Sequence, residues 1–134
     1  MNTTVDQSTP GTAVVGLDGE LDASNYLELI ALGRRLYADG ARRLVLDVSG
    51  LTYMASSGIV ALHSLALVFA GQEPPDPEMG WQAFHDIGAD VTRGDPRDHV
   101  RLVAPTPAVD RVLERTGLKR ILPVFETREA ALAG

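Results

Sequence analysis

Residues 43–70 have the sequence RLVLDVSGLTYMASSGIVALHSLALVFA, in which a strand pattern passes into a helix pattern. Apolar and polar side chains alternate over residues 43–48, which predicts a strand with one buried face. A nearly apolar run then extends to Ala70 and predicts a buried helix, with Ser56 or Ser57 at its start as the expected N-cap. A strand that leads into a buried helix is typical of α/β proteins.

Upstream of this stretch the sequence predicts two strands and a helix. Residues 12–17 form an apolar run between turn residues, and residues 3–6 are expected to pair with it as a hairpin. Apolar residues then recur at helical spacing as far as Tyr37. This spacing predicts a helix that Asp22 or Ser24 caps at its start.

Downstream, strand and helix patterns alternate again. Residues 99–104 predict a strand, and Thr106, which precedes a proline, predicts the start of the next helix. Residues 121–125 predict a last strand, which Pro123 places at the edge of the sheet. Thr127 is expected to cap a short terminal helix. The whole pattern predicts an α/β fold, a central mixed β-sheet flanked by about four α-helices.

A single domain is expected over residues 1–134, interrupted by an insertion at about residues 71–98 before the late strand. This insertion is rich in Pro, Gly and Asp, and its length in a compact domain predicts that it is either functional or mobile. Trp81, Phe84 and Ile87 recur at three-residue spacing within it. They are expected to form its ordered part, as a surface lid over local core.

Composition narrows the classes of function. The net charge of −6 argues against a broad surface for binding nucleic acid, and the absence of cysteine excludes thiol nucleophiles and disulfides. The first residues show no secretory signal, and the longest apolar run is shorter than the roughly 18 residues of a membrane-spanning helix. We therefore expect a cytoplasmic protein that binds no nucleic acid directly and does not insert into a membrane.

The serines and histidines do not form a recognisable hydrolase site. Ser56 lacks the glycine two residues earlier that a nucleophile elbow requires, and His63 lies two helical turns further along the same helix. His85 and His99 would need an unproven contact in the fold to act as bases. The three histidines also lack the short spacing of metal ligands. We therefore expect no catalytic residues, no metal and no cofactor.

A pair of hydroxyl groups remains at the junction between strand and helix. Free N–H groups and the positive end of the helix dipole at Ser56 and Ser57 are suited to hold an anion such as phosphate. The plainer interpretation is that one of these serines only caps the helix, and the local pattern alone does not decide between the two.

Two segments together resemble the signatures of the STAS family of anti-sigma factor antagonists. Residues 19–22, GELD, follow an apolar strand, and residues 47–58, DVSGLTYMASSG, resemble the second signature of that family. Residues 101–103, together with Thr116-Gly117-Leu118, are similar to the strand, helix and Gly-Leu ending of these domains. The chain therefore resembles a STAS domain of the anti-sigma factor antagonist type.

This resemblance implies a bacterial regulator of transcription that acts by binding a protein partner and is not an enzyme. Family members bind an anti-sigma serine kinase, which can phosphorylate a serine at the start of the second signature helix. The phosphorylated residue is then Ser56, with Ser57 as the weaker candidate. The partner surface is expected to centre on the loop and helix from Met54 to about Leu67, with Asp22 at its rim, and some apolar residues of this helix are expected to reach the surface. The expected partner-binding residues are Glu20, Asp22, Met54, Ala55, Ser57, Gly58 and Ile59. The expected exposed residues are among Ile59, Val60, Ala61, Val68 and Phe69.

The sequence departs from the family pattern at two places. Ala55 stands where the family usually has aspartate, and the insertion has no counterpart in the short members. Both departures bear on the phosphorylation switch. Two other functions stay open: a STAS accessory subunit of a transporter or lipid-trafficking complex, and a sensor of a small ligand or nucleotide with the insertion as its lid.

Overall fold

The structure, a computed structural model, describes residues 1–71 and 99–133. The expectations for the insertion, including those for Trp81, Phe84 and Ile87, lie outside the described residues, as does His85. The single domain over residues 1–134 stays a prediction.

In the part of the chain that the structure describes, five strands form one mixed sheet in the order β1-β2-β3-β4-β5. The first pair is antiparallel and the other three pairs are parallel. The predicted hairpin and the edge position of the last strand are therefore confirmed. The strands are β1 (Asn2–Asp6), β2 (Thr12–Leu21), β3 (Arg43–Met54), β4 (Val100–Val103) and β5 (Val124–Phe125).

Among the described residues four α-helices flank this sheet, as the sequence predicted. They are α1 (Tyr26–Ala38), α2 (Ser56–Phe69), α3 (Pro107–Thr116) and α4 (Arg128–Leu132), with a 3₁₀ turn at Leu118–Arg120. Thr127 caps α4 as expected, because its hydroxyl accepts a hydrogen bond from the backbone N–H of Ala130 at 3.1 Å.

The sheet has a front face with the main core and a back face with a smaller one. Alternate residues of β2 point to opposite faces, so Val15 joins the front core and Val14 the back one. Helices α1, α2 and α3 supply the front core, represented by Leu29, Leu65 and Leu113. On the back face, α4 covers a small apolar cluster with Ala131.

The predicted caps of the first two main helices are wrong, although α2 does open at Ser56 as predicted. Helix α1 begins after Asn25 instead of Asp22 or Ser24, and α2 begins after Ala55, so that Ser56 and Ser57 are its first two residues. The Asp22 carboxylate accepts hydrogen bonds from Ser24 within the loop, and this local turn delays the start of α1.

The expectation that some apolar residues of α2 reach the surface is also wrong. Every residue from Ser57 to Phe69 is buried, including Ile59, Val60, Ala61, Val68 and Phe69. The physical reason is composition, because a helix that is apolar on all sides is stable only when it is enclosed on all sides.

Candidate docking surface

The candidate site lies where two parallel strands end. β2 and β3 pair in parallel up to Leu21 opposite Met54, so the loops that follow both strands emerge at the same edge of the sheet. The backbone N–H of Ala55 donates to the carbonyl of Leu21 at 2.9 Å and joins the two loops. The GELD segment and the start of α2, far apart in sequence, are thus held together.

Asn25 fixes the loop that carries the acidic residues. Its side-chain amide donates to the carbonyl of Glu20 at 2.8 Å, and its Oδ1 accepts from the backbone N–H of Asp22 at 3.0 Å. The Asn25 side chain therefore ties together both ends of the loop between Glu20 and α1. Sequence reasoning missed Asn25, although an asparagine directly before a helical pattern is a frequent cap and turn residue.

The Asp22 carboxylate is held ionised. Its Oδ1 accepts from the Ser24 hydroxyl at 2.5 Å and from the Ser24 backbone N–H at 2.9 Å. Hydrogen bonds from the side chain and then the backbone of Ser24 hold the pKa of this carboxyl below its usual value, although slight desolvation acts in the opposite direction. The rim of the site therefore carries negative charge at neutral pH.

The two serines at the start of α2 differ in accessibility. Ser56 is exposed, whereas Ser57 is only 7% exposed and its hydroxyl has no hydrogen-bond partner among the described residues. Helix geometry explains the difference, because neighbouring residues project about 100° apart around the axis. Ser56 projects to solvent and Ser57 projects into the protein.

Gly58 lets α2 pack closely on the ends of the strands. A Cβ atom at this position would collide with the Met54 side chain and lie 3.0 Å from Cγ of Leu21. Met54, Gly58 and Ile59 are buried and form the base beneath the surface. Of the expected partner-binding residues, Glu20 is exposed and Asp22 and Ala55 are half-buried.

Two large side chains that sequence reasoning did not single out are exposed on the same elements. Tyr53, at the end of β3, is 51% exposed, and Leu27, in the first turn of α1, is 49% exposed. Tyr53 lies opposite Glu20 in the strand pairing. Alternation along the strand could not have signalled the exposure of Tyr53, because Leu51, which is in phase with it, is buried.

The described histidines do not complete a hydrolase site with Ser56. His63 is buried in α2, seven residues or roughly 10 Å along the helix axis from Ser56. His99 precedes β4 at the opposite end of the parallel strands. Within residues 1–71 and 99–133, no group of three or more metal-ligating side chains is present. No helix in the same part of the chain is long and apolar enough to span a membrane.

Comparison with known proteins establishes the family. Residues 4–73, which are just over half of the 134-residue chain, match the family model described as "Mlab, STAS domain". The chain therefore belongs to the STAS domain family, and the resemblance inferred from its motifs is confirmed. A comparison with curated protein sequences finds no match.

Solved structures of anti-sigma factor antagonists share the fold. An anti-sigma factor antagonist from Mycobacterium paratuberculosis matches with a TM-score of 0.65 at 22% identity, over 98% of this chain and 90% of that one. The unphosphorylated form of the anti-sigma factor antagonist SpoIIAA matches with a TM-score of 0.63 at 21% identity, over 98% and 93%. The phosphorylated form of SpoIIAA from Bacillus matches with a TM-score of 0.57 at 20% identity, over 98% and 96%.

Proposed function

We propose that this protein is an anti-sigma factor antagonist that binds an anti-sigma serine kinase and that phosphorylation of Ser56 controls the binding. The observation that carries the proposal is the exposed Ser56 at the start of α2, beside a loop that carries Glu20 and Asp22. The likeness to antagonists in fold supports it. ATP-dependent signalling of this kind places the protein in the cytoplasm.

Accessibility favours Ser56 over Ser57 as the phosphorylated residue. A kinase has to bring the hydroxyl oxygen in line with the γ-phosphate of ATP, which requires an exposed side chain. Ser56 is exposed and Ser57 is 93% buried, the complement of its 7% exposure. The kinase supplies ATP, magnesium and the catalytic groups, so this chain contributes a substrate and no catalysis.

Electrostatics explains how the phosphate would end binding. A phosphoserine carries about −1.5 to −2 charges at neutral pH, and the N-terminus of its own helix stabilises such charge. A partner that packs against Ser56 already faces Glu20 and the ionised Asp22. Added negative charge in a closed interface costs desolvation and like-charge repulsion, so the complex dissociates while the domain stays folded.

In this proposal the partner contacts a surface made of Glu20, Asp22, Ala55 and Ser56, with Tyr53 and Leu27 as apolar anchors. Tyrosine is one of the side chains in which the binding energy of an interface is often concentrated, so Tyr53 is the stronger of the two anchors. The buried residues Met54, Ser57, Gly58 and Ile59 act from beneath, because they hold the start of α2 against β2 and β3.

The test is capture of the kinase from a lysate of the source organism, with ATP-depleted and ATP-supplied arms. Wild-type protein should retain a serine kinase of the anti-sigma class and lose it when Ser56 is replaced by Asp. Ser8→Asp is the matched control, because Ser8 is exposed but lies beyond the end of β1. Labelling with radioactive ATP should disappear in Ser56→Ala. Equal kinase capture by both aspartate variants, or labelling that persists in Ser56→Ala, would contradict the proposal.

A second candidate is a STAS accessory subunit with a permanent interface, as in a transporter or lipid-trafficking complex. Ala55 favours it, because this residue offers neither charge nor hydrogen-bond acceptor beside Ser56, and a permanent contact needs no phosphorylation. The matching family model is described as "Mlab, STAS domain", and that description does not mention anti-sigma factors. Capture of a permease or ABC subunit that ATP does not release would favour this second function.

A further inference from the structure

The edge of the sheet at β1 is open and regular. All five residues of β1 are exposed, and each is paired with β2 on the inner side. No described strand pairs with its outer side. The segment NTTVD contains no proline, lysine or β-bulge, the features that often protect such an edge from pairing with another strand, and its one charge is Asp6 at the end of the strand.

This strand is complementary to itself in the antiparallel direction. A two-fold axis at Thr4 places Thr3 opposite Val5 of the second copy and Asn2 opposite Asp6. Thr3 and Val5 point to the front face, because they pair with the core residues Leu17 and Val15. Asn2 and Asp6 point to the back face, where the Asn2 amide of one copy can donate a hydrogen bond to the Asp6 carboxylate of the other. Val5, which is 44% exposed, would be covered by such pairing.

Helix α1 carries a second self-complementary pattern above the same edge. Glu28, Ala31, Leu32 and Arg35 recur at the spacing of one helix face, and this face borders a groove of ≈320 Å³ between α1 and β1. Leu32 is half-buried and the other three are exposed. No ion pair joins Glu28 or Arg35 to another described residue. In an antiparallel helix pair, Glu28 faces Arg35 of the second copy, and Ala31 faces Leu32.

The directions of the two elements agree with one symmetry axis. β1 runs antiparallel to β2, and α1 returns from the end of β2 to the start of the parallel strand β3, so α1 and β1 run in the same direction. One two-fold axis therefore makes both contacts antiparallel. Strands about 4.8 Å apart and helices about 8–10 Å apart are compatible with a single seam.

We propose that this protein forms a symmetric dimer in which β1 pairs with β1 of a second copy and α1 packs beside α1, sealed by two Glu28–Arg35 ion pairs. The two sheets join into one sheet of ten strands. A closed isologous contact of this kind buries the same patch on both copies. The seam is distinct from the docking surface, which lies at the ends of β2 and β3, so the inference does not depend on the proposed kinase partner.

The seam is short, which is typical of weak and reversible association. One five-residue strand and two turns of helix per copy place the interface at the low end of specific complexes, about 1,200 Å² or less. Such an interface supports a dimer with a Kd in the micromolar range rather than an obligate one.

The test is charge reversal measured by sedimentation equilibrium from about 1 µM to about 1 mM of the full chain. Glu28→Arg and Arg35→Glu each turn two attractive pairs into two repulsive pairs, and each should weaken dimerisation about tenfold or more. Arg34→Glu is the matched control, because it changes the charge equally on an exposed position outside the Glu28–Arg35 face. It should dimerise like the wild type.

Mixing the two single variants gives the sharpest result. A heterodimer of Glu28→Arg with Arg35→Glu has two attractive pairs, so native mass spectrometry of the mixture should show mainly heterodimers, although each variant alone dimerises more weakly than the wild type. If the wild type stays monomeric up to about 1 mM, the proposal is overturned. The open edge of β1 would then be a site where a strand of another protein can pair. Dimers that Arg35→Glu and Arg34→Glu form equally well overturn it too.

Discussion

Ala55 affects both the proposed phosphorylation of Ser56 and the stability of α2. It is the N-cap of the helix, with φ −79° and ψ 174°, and its side chain accepts no hydrogen bond from the first turn. The backbone is thus already in the extended conformation that a capping side chain needs. An aspartate at this position, as in the family pattern, would supply both a cap and a base beside Ser56.

We expect Ala55→Asp to raise the free energy of unfolding by about 0.5–2 kcal/mol and the rate of Ser56 phosphorylation at least about tenfold. Ala55→Asn is the matched control, because its amide oxygen caps the helix but is neither charged nor basic. It should give the gain in stability without the gain in rate. Urea unfolding and labelling with the kinase and radioactive ATP measure the two effects. Equal phosphorylation rates in both variants would show that the base is not what Ala55 lacks.

At the scale of elements, the contact between α1 and α2 depends on the absence of a side chain at Gly33. A Cβ atom at this position would overlap the Cδ2 atom of Leu65 and approach the Phe69 ring to 3.8 Å. Gly33 and Leu65 are both buried, so a larger side chain at position 33 could not move out into solvent. The close approach brings the two helices together above β2 and β3.

Gly33→Ala should therefore destabilise the protein by about 1–3 kcal/mol, although alanine favours a helix over glycine by about 1 kcal/mol. Leu65→Ala alone should cost about 2–5 kcal/mol because it leaves a cavity. In the double variant the new methyl group occupies part of that cavity, and the loss should be smaller than the sum of the two single losses. Urea unfolding of the four proteins measures this coupling. Strict additivity would contradict the contact.

At the scale of the whole molecule, α4 closes the back face of the sheet through polar contacts with strands far away in sequence. The Arg128 Nε atom lies 2.6 Å from Oδ2 of Asp47, and the Arg101 guanidinium donates to the carbonyl of Ala131 at 2.7 Å. Burial alone would raise the pKa of Asp47, but hydrogen bonds from Ser49 and Arg128 outweigh it and hold the pKa below its ordinary value of 3.8.

Because folding lowers the pKa of Asp47, the ionised form of this carboxyl stabilises the folded protein. The contribution of Asp47 is fully present above its unfolded pKa and is lost as the pH falls through the folded value. Asp47→Asn should therefore lower the free energy of unfolding by about 1 kcal/mol at neutral pH, and the difference should vanish toward pH 3 or below. Arg128→Gln should show part of the same loss. Urea unfolding at several pH values measures it, and a loss that is independent of pH would contradict the ion pair.

The sequence predicted the order of strands and helices because their signals are local. Alternation over residues 43–48 and the apolar run after it follow from the 2.0 and 3.6 periods of strand and helix. The GELD segment and the serine pair were likewise visible as motifs. What these motifs could not provide was the contact between them, since it depends on the parallel pairing of Leu21 with Met54.

Only the tertiary structure decided which side chains are available to a partner and which hold the fold. Asn25 is the residue before α1, and its side chain bonds Glu20 and Asp22 across the loop. Packing buries Ser57 and leaves Ser56 exposed. Arg128 meets Asp47 across 81 positions of sequence. Local periodicity carries no information about such contacts, because burial, pairing and charge at a residue are set by elements distant along the chain.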